Sequence, residues 1–292
     1  MSLLQAIFMG LIQGLTEFLP VSSSGHLALF KILFHVETDT GILFDVLLHL
    51  GTLAAICIVY RRDIARLFLE GIAIVKDLAI NTGIFFKNLG QVDKKPYLRI
   101  VCNSYRKLVM LILVSTIPTG VIGYLGRDVV ASATGVLLVP GICLLVTAVL
   151  LFLSDRMPEG KKLPKNVSYT TAFGIGVAQG IATLPGLSRS GTTITACLAN
   201  GFGQNFAVKY SFLMSIPAVL GAAVLEISDI STVGLTAVEI VSYIVGMVVA
   251  AVVGYFCIKA MLVVVRVRKF KIFGVYCLVI GLISIIGYFV SS

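Results

Sequence analysis

The chain has 292 residues, of which 58% are hydrophobic and only 13% are charged, and its mean hydropathy is +1.02. Soluble domains carry about a quarter charged residues, so this composition excludes an ordinary soluble domain and predicts a membrane protein. The formal net charge of +9 is typical of basic loops at the inner face of a membrane and does not indicate nucleic-acid binding. The six cysteines show no metal-ligand or CxxC spacing, and we interpret them as small buried side chains.

Two kinds of apolar segment recur along the chain, with one broken region followed by three spans in each half. In chain order they are a broken region at 3–35, spans at 42–60, 107–125 and 131–153, a second broken region at 168–199, and spans at 207–227, 237–260 and 271–290. Gly, Pro and Ser interrupt each broken region, so neither half is long enough to cross a bilayer. Such breaks are tolerated at membrane depth only where protein or a wet cavity covers the freed backbone groups. We therefore predict an all-α integral membrane protein with six transmembrane helices and two re-entrant helical hairpins.

Lys and Arg predict the orientation of these segments. Most of them lie in three segments, 61–107, 156–165 and 266–271. The positive-inside rule places those segments in the cytoplasm. In the facing loops at 36–41, 126–130 and 228–236, four of the five charged residues are acidic. These loops are predicted to lie outside. Apolar residues recur at near-helical spacing in the insertion at about 61–106, which predicts an amphipathic helix on the cytoplasmic surface, or else a partly folded loop.

Two stretches resemble each other at an offset of 166 residues. Residues 6–25 read AIFMGLIQGLTEFLPVSSSG and residues 172–191 read AFGIGVAQGIATLPGLSRSG, with a shared Gln-Gly pair and a shared Ser-x-Ser-Gly. This predicts one membrane domain, 1–292, built from repeat one at about 1–153 and repeat two at about 168–292. Because the charge pattern inverts one copy relative to the other, we expect an inverted-topology repeat whose hairpin tips meet near the midplane.

The two predicted tips are rich in groups that bind anions and transfer protons. They contain Gln13, Glu17, Ser22, Ser23, Ser24 and His26 in the first copy and Gln179, Ser188, Arg189, Ser190, Thr192 and Thr193 in the second. A charge at membrane depth costs about 2.5 to 3.5 kcal/mol, so Glu17 and Arg189 should pair or function. Hydroxyls, helix-start amides and an arginine suit a phosphate, and a histidine can move protons or attack phosphorus. A purely structural ion pair is the simpler alternative, but it leaves the other polar groups unexplained.

The stretches QGLTEFLPVSSSGH, from Gln13 to His26, and PGLSRSGTT, from Pro185 to Thr193, resemble the two signatures of the bacterial undecaprenyl-diphosphate phosphatases of the bacitracin-resistance type. The resemblance covers nearly the whole chain. It implies hydrolysis of undecaprenyl diphosphate to undecaprenyl phosphate and phosphate, which recycles the lipid carrier for cell-wall synthesis and confers bacitracin resistance. It also implies a multi-pass protein of the bacterial plasma membrane whose active site opens to the outer side.

The resemblance implies four catalytic residues, Glu17, Ser23, His26 and Arg189. Arg189 would grip the diphosphate, and Ser23 would be the nucleophile. His26 would be its base or the nucleophile itself, while Glu17 would orient His26, accept a proton or hold a metal. The expected substrate contacts are Gln13, Ser22, Ser24, Ser188, Ser190 and Thr193.

The sequence leaves the cofactor and an alternative function open. Whether the site binds Mg²⁺ or Ca²⁺ is left open. The family pattern allows Glu at the position of Gln13, and the neutral amide weakens a site that would need two carboxylates. The expected partners are a polyprenyl diphosphate lipid and membrane lipids, with a homodimer left open and no nucleic acid. A transporter or lipid flippase that uses the same midplane polar site is the alternative function, since inverted repeats with broken helices are typical of transporters.

Overall fold

The computed structural model describes residues 1–34, 41–89, 91, 93–134, 136–228 and 236–291. Within these ranges the protein contains twelve α-helices and a short 3-10 turn, and no β-strand, so the predicted all-α fold is confirmed. The helices are α1 (Leu3–Phe18), α2 (Ser23–Leu33), α3 (Gly41–Val59), α4 (Arg61–Asn88), α5 (Ser104–Leu125), α6 (Arg127–Thr134), α7 (Leu138–Ser154), α8 (Tyr169–Ile181), α9 (Arg189–Ala199), α10 (Gln204–Ser228), α11 (Ala237–Val267) and α12 (Phe270–Ser291). The predicted outer loops at 36–41 and 228–236 fall largely outside the described residues.

The apolar helices coincide with the six predicted spans. Within the described residues, four helices are long and apolar enough to cross a membrane, and two bent pairs, α3 with α4 and α6 with α7, raise the number to six if each counts as one span. The multi-pass prediction therefore agrees with the helices present. Two predicted boundaries were wrong. The helix predicted at 237–260 continues to Val267, and the one predicted at 131–153 begins only at Leu138. Residues 127–134 form the separate helix α6, which carries Arg127, Asp128 and Ser132 and suits the membrane boundary better than the hydrocarbon.

Both broken regions form two short helices joined by a turn. Helices α1 and α2 have 16 and 11 residues, and α8 and α9 have 13 and 11. At about 1.5 Å per residue, even α1 is only about 24 Å long, shorter than a hydrocarbon core of about 30 Å. The short helices and turns are those expected of hairpins, while their re-entrant placement in a membrane stays a prediction.

Matching features recur in the two copies at the offset of 166. The side chain of Ser22 caps α2 by accepting from the Gly25 amide at 3.3 Å, and Ser188 caps α9 by accepting from the Gly191 amide at 3.0 Å. Helix α1 packs along α11 while α8 packs along α5, which is the exchange of partners expected if the two copies are equivalent. These correspondences support the predicted duplication, which together with its inversion stays a prediction.

Glycines allow α8 to lie close against α5 and so fix the position of the second tip. A Cβ atom on Gly176 would collide with the backbone carbonyl oxygen of Ser115, and one on Gly180 would lie 2.8 Å from the side chain of Ile122. Gly174, two residues before Gly176, has no such neighbour within 4 Å. The close approach therefore depends on particular glycines of α8 and not on its glycine content.

We expect Gly176→Ala to lower the unfolding temperature of the detergent-solubilised protein, because the added Cβ must push two backbones apart. Overpacking of this kind costs about 1 to 3 kcal/mol. The matched control is Gly174→Ala on the same helix, which should be neutral or slightly stabilising, since Ala is favoured over Gly in a helix by about 0.5 to 1 kcal/mol. Equal unfolding temperatures for the two variants would mean that the crossing of α5 and α8 is not as close as described.

Candidate active site

The turns after α1 and before α9 bring a carboxylate and a guanidinium together. Glu17 lies in the last turn of α1, and Arg189 is the first residue of α9. The Arg189 Nη2 atom forms an ion pair with the Glu17 Oε1 atom, although the two residues are 172 positions apart in sequence. The Glu17 side chain is only 4% exposed and that of Arg189 is 23% exposed. The structure thus brings together the two charges that the sequence singled out.

The other oxygen of Glu17 is shared by several groups. Ser23 Oγ donates a hydrogen bond to Glu17 Oε2 at 2.5 Å, and Gln13 Nε2 donates to the same atom at 3.1 Å. His49 Nε2, on α3, lies 4.0 Å from this oxygen. Gln13 reaches Glu17 because residues four apart share a helix face. Glu17 therefore lies at the centre of a cluster formed with Gln13, Ser23, His49 and Arg189. One of its oxygens binds the Arg189 guanidinium and the other binds the Ser23 hydroxyl.

The turn before α2 explains how Ser23 reaches Glu17. Ser22 has a φ of +71°, a left-handed value that is uncommon for residues other than glycine. Its backbone reverses the chain so that α2 begins at Ser23, and its side chain caps the new helix. Strained backbone of this kind is often found at functional sites, where the surroundings hold it in place.

His26 lies one turn into α2 but bonds elsewhere. Its Nδ1 atom lies 2.7 Å from the Ser22 carbonyl oxygen, and its Nε2 atom lies 2.8 Å from the Tyr276 hydroxyl, on whose ring it stacks. Because a carbonyl can only accept, Nδ1 carries the hydrogen, and Nε2 of the neutral ring accepts from Tyr276. The expected contact of Glu17 with His26 is not among the hydrogen bonds of the described residues; the histidine beside Glu17 is His49.

The predicted substrate-contact residues other than Gln13, which bonds Glu17, have three roles in the structure. Ser190 Oγ donates to the Leu19 carbonyl oxygen at 3.3 Å and so joins the two tips. Ser22, Ser24 and Ser188 serve the helix starts: Ser22 and Ser188 are caps, and the Ser24 hydroxyl lies 3.4 Å from that of Ser22. Thr193 instead bonds the Ser211 hydroxyl of α10 at 2.5 Å, which anchors α9.

The start of α9, with Arg189 as its first residue, offers backbone amides to an anion.

A water-sized cavity of about 10 Å³ lies beside the ion pair. It is lined by Glu17, Phe18, Arg189, Ser190, Ser211, Phe212 and Ser215. Polar groups from both tips thus face the same space, while Phe18 and Phe212 pack edge to face at 5.3 Å and make one side apolar. A diphosphate is larger than this cavity, so its entry requires Arg189 to leave Glu17 or the tips to separate.

Two residues near the cluster were not predicted as site residues. Tyr276 lies in the apolar segment of α12, where nothing in the sequence distinguishes it from an ordinary interfacial tyrosine. His49 carried a weak signal, because it follows Asp45 by four residues on an otherwise apolar helix. The Asp45 carboxylate binds Lys31 of α2 at 2.6 Å. His49 Nδ1 lies 2.8 Å from the Asp45 carbonyl oxygen, and its Nε2 faces Glu17.

The donor set at Glu17 suits a divalent cation only together with a substrate. Within the described residues, no group of three or more His, Cys, Asp or Glu side chains could hold a metal ion. Gln13 Oε1, however, is a buried oxygen without a hydrogen-bond partner among the described residues. Mg²⁺ is commonly held by one or two carboxylates plus substrate phosphates and water. Glu17 and Gln13 fit that description and do not form a complete protein site.

Comparison with known proteins adds an independent observation. The family model described as "Bacitracin resistance protein BacA" matches residues 6–283, a range that includes every residue of the cluster. A protein named undecaprenyl-diphosphatase in Halothermothrix orenii is 41% identical over 286 residues, which cover 98% of both chains. The protein of the same name in Methanosphaera stadtmanae is 39% identical over 286 residues, again 98% of both chains. That of Treponema denticola is 41% identical over 282 residues, or 97% of this chain and 96% of the relative.

Proposed function

The chain belongs to the bacitracin resistance protein BacA family, and we propose on this premise that it hydrolyses undecaprenyl diphosphate to undecaprenyl phosphate and inorganic phosphate. The observation that carries the proposal is the cluster of Ser23, Glu17 and Arg189, in which a buried carboxylate binds a hydroxyl and a guanidinium. Phosphoryl transfer depends mainly on positioning and on neutralising charge, and these groups supply both. The reaction recycles the lipid carrier for cell-wall synthesis and confers bacitracin resistance by removing the diphosphate form.

Arg189 binds the diphosphate in this scheme. Its guanidinium is paired with one carboxylate oxygen in the structure, and a phosphate with more charge competes for the same donors. When Glu17 takes up a proton it no longer holds Arg189 by charge, so the arginine is released towards the phosphate as negative charge develops there. The ion pair therefore keeps Arg189 oriented until substrate and proton transfer displace Glu17.

Ser23 is the nucleophile and Glu17 its base. The hydrogen bond of 2.5 Å lets the proton pass from Ser23 Oγ to Glu17 Oε2 as Oγ attacks the terminal phosphorus. The bond from that phosphorus to the bridging oxygen breaks, and undecaprenyl phosphate leaves. Water then attacks the phosphoserine and the bond from phosphorus to Ser23 Oγ breaks. Glu17 returns its proton to Oγ, and the phosphate leaves with the oxygen and protons of that water. His26 holds the start of α2 and reaches the substrate only after Tyr276 releases its Nε2 atom.

The protein is a multi-pass membrane protein in this account, and we place it in the bacterial plasma membrane with the site open to the outer side. The basic segments at 61–107, 156–165 and 266–271 support that orientation, because such segments stay in the cytoplasm. The hairpins would then hold the cluster where a lipid-borne diphosphate can reach it from the outer leaflet. A homodimer stays an open hypothesis of the same account.

Reconstituted vesicles separate this function from transport or lipid flipping. Undecaprenyl diphosphate is presented on one face of the membrane, and both released phosphate and intact lipid on the far face are measured. A phosphatase releases phosphate and moves intact diphosphate no faster than protein-free vesicles do. Transfer of intact diphosphate without phosphate release would overturn the proposal in favour of the transporter or flippase alternative.

Cation removal tests the proposed role of Gln13. We expect EDTA to lower phosphate release and Mg²⁺ or Ca²⁺ to restore it, because Glu17 and Gln13 would hold the cation against the substrate phosphates. Gln13→Glu adds a second carboxylate and should lower the cation concentration for half-maximal rate by on the order of tenfold. The unfolding temperature with and without each cation provides a second readout. Full activity after EDTA treatment, together with an unfolding temperature that neither cation changes, would rule the cation out.

A further inference from the structure

Helix α4 is a long helix that has no part in the proposed function. The segment 61–106 was predicted to be an amphipathic helix or a partly folded loop, and the structure shows a continuous helix from Arg61 to Asn88. It has 28 residues, or about 42 Å at 1.5 Å per residue, and it is bent by 88° from α3. If α3 crosses a membrane, α4 therefore runs nearly parallel to the membrane plane.

All three acidic residues of α4 are neutralised within the chain. Asp63, Glu70 and Asp77 are seven residues apart and so lie on one side of the helix. Lys209 Nζ lies 2.5 Å from Asp63, and Arg106 binds both Glu70 at 3.0 Å and Asp77 at 2.5 Å. Farther along the same side, Asn81 and Asn88 bond the backbone of residues 95–98. This side of α4 is thus covered by its own chain.

Three of the five basic residues of α4 have a different environment. Arg62, Lys76 and Lys87 follow one another along a second side of the helix, are exposed, and have no acidic partner among the described residues. Because the acids are used internally, α4 shows uncompensated positive charge to its surroundings. That charge complements an anionic surface.

An apolar stripe lies next to these cations. Phe68, Ile72, Val75, Ala79 and Phe86 recur at helical spacing and face away from the acidic side. The exposed fractions are 69% for Phe68, 67% for Val75 and 65% for Phe86. Large apolar side chains exposed together mark a surface that something covers.

We propose that α4 lies flat in the membrane interface and binds an anionic lipid surface. The apolar stripe enters the boundary of the acyl chains, and Arg62, Lys76 and Lys87 contact lipid phosphates. The right-angle bend places the helix in the membrane plane, and the mixture of an apolar stripe with lysine and arginine is typical of interfacial helices. A second copy of the chain could cover the stripe, but it would leave the uncompensated cations unexplained.

The absence of tryptophan from the sequence permits a direct test. Phe68→Trp places one fluorophore on the stripe of the full chain, which is purified and reconstituted in vesicles of equal parts phosphatidylcholine and phosphatidylglycerol. We expect blue-shifted emission that is quenched by lipids brominated near the headgroup. Lys161→Trp, at an exposed position of another basic segment, is the matched control and should emit as in water. Unquenched, water-like emission from Phe68→Trp, or a shift that depends on protein density and not on brominated lipid, would overturn the proposal.

The cations are tested with the same reporter. Brominated phosphatidylglycerol should quench Phe68→Trp more than brominated phosphatidylcholine at the same mole fraction, since the cations enrich anionic lipid around α4. Adding Arg62→Gln, Lys76→Gln and Lys87→Gln should make the two lipids quench equally while the emission stays blue-shifted. If the two lipids already quench Phe68→Trp equally while Arg62, Lys76 and Lys87 are intact, the proposed preference of α4 for anionic lipid is overturned. These readouts do not depend on phosphate release, so they are independent of the proposed activity.

Discussion

Arg189→Ala is expected to lower kcat for undecaprenyl diphosphate by on the order of 10³-fold or more, the range found for arginines that stabilise transferring phosphoryl groups. The guanidinium is the one Arg or Lys side chain bonded to Glu17 among the described contacts, so no other described lysine or arginine replaces it. The measurement is phosphate release by the purified protein in detergent under saturating substrate.

Two controls separate loss of chemistry from loss of fold. Arg189→Ala leaves Glu17 buried without its counter-charge, and breaking a buried pair costs about 3 to 5 kcal/mol. Arg189→Lys keeps the charge but loses the fork that binds two oxygens, so it should fold normally and still lose most of the activity. Arg266→Ala removes an arginine that bonds Asn205 at 3.0 Å outside the cluster, and it should keep wild-type turnover. Full activity in Arg189→Lys would show that a simple positive charge suffices.

Ser23→Ala is expected to lower kcat by on the order of 10³-fold or more, as the loss of a nucleophile does in other hydrolases. The run of three serines supplies its own matched controls. Ser22→Ala removes a helix cap and should cost about 1 kcal/mol of stability with a much smaller loss of rate. Ser24→Ala removes a hydroxyl whose described contact is the one with Ser22.

The turnover of the three serine variants, compared with that of His26→Ala, decides whether Ser23 or His26 is the nucleophile. If Ser23 attacks phosphorus, wild-type protein quenched in acid during turnover carries phosphate on Ser23, and Ser23→Ala carries none. If His26 attacks instead, Ser23→Ala keeps substantial turnover and His26→Ala does not. Similar modest losses in all three serine variants would contradict the role assigned to Ser23 and leave the run with a capping role alone.

Composition and hydropathy were sufficient to predict the helical membrane fold, because each spanning helix must be apolar along its whole length. They did not predict that α7 begins only at Leu138, since Ala131, Ser132 and Ala133 are tolerated both in the hydrocarbon and at its boundary. The sequence also did not predict that the helix starting at Ala237 runs to Val267. Such ends depend on capping and on neighbouring helices, which hydropathy does not describe.

The pairing of Glu17 with Arg189 could be predicted because two buried charges of opposite sign are stable only together. The bond of His26 to Tyr276 could not, since it depends on where α12 places a residue that comes 250 positions later in the chain. The nearness of His49 to Glu17 likewise depends on how α3 packs beside α1. Local motifs therefore identified the chemical groups, and only the packing of the helices determined which of them meet.

The most direct test of the account is phosphate release from undecaprenyl diphosphate by the purified wild-type protein, with Ser23→Ala and Arg189→Lys measured beside it in the same detergent. The account predicts one phosphate and one undecaprenyl phosphate per substrate from the wild type, and almost none from either folded variant. Release at the wild-type rate by both variants would contradict the assignment of the site. No release by folded wild-type protein, with Mg²⁺ and with Ca²⁺, would contradict the phosphatase activity itself.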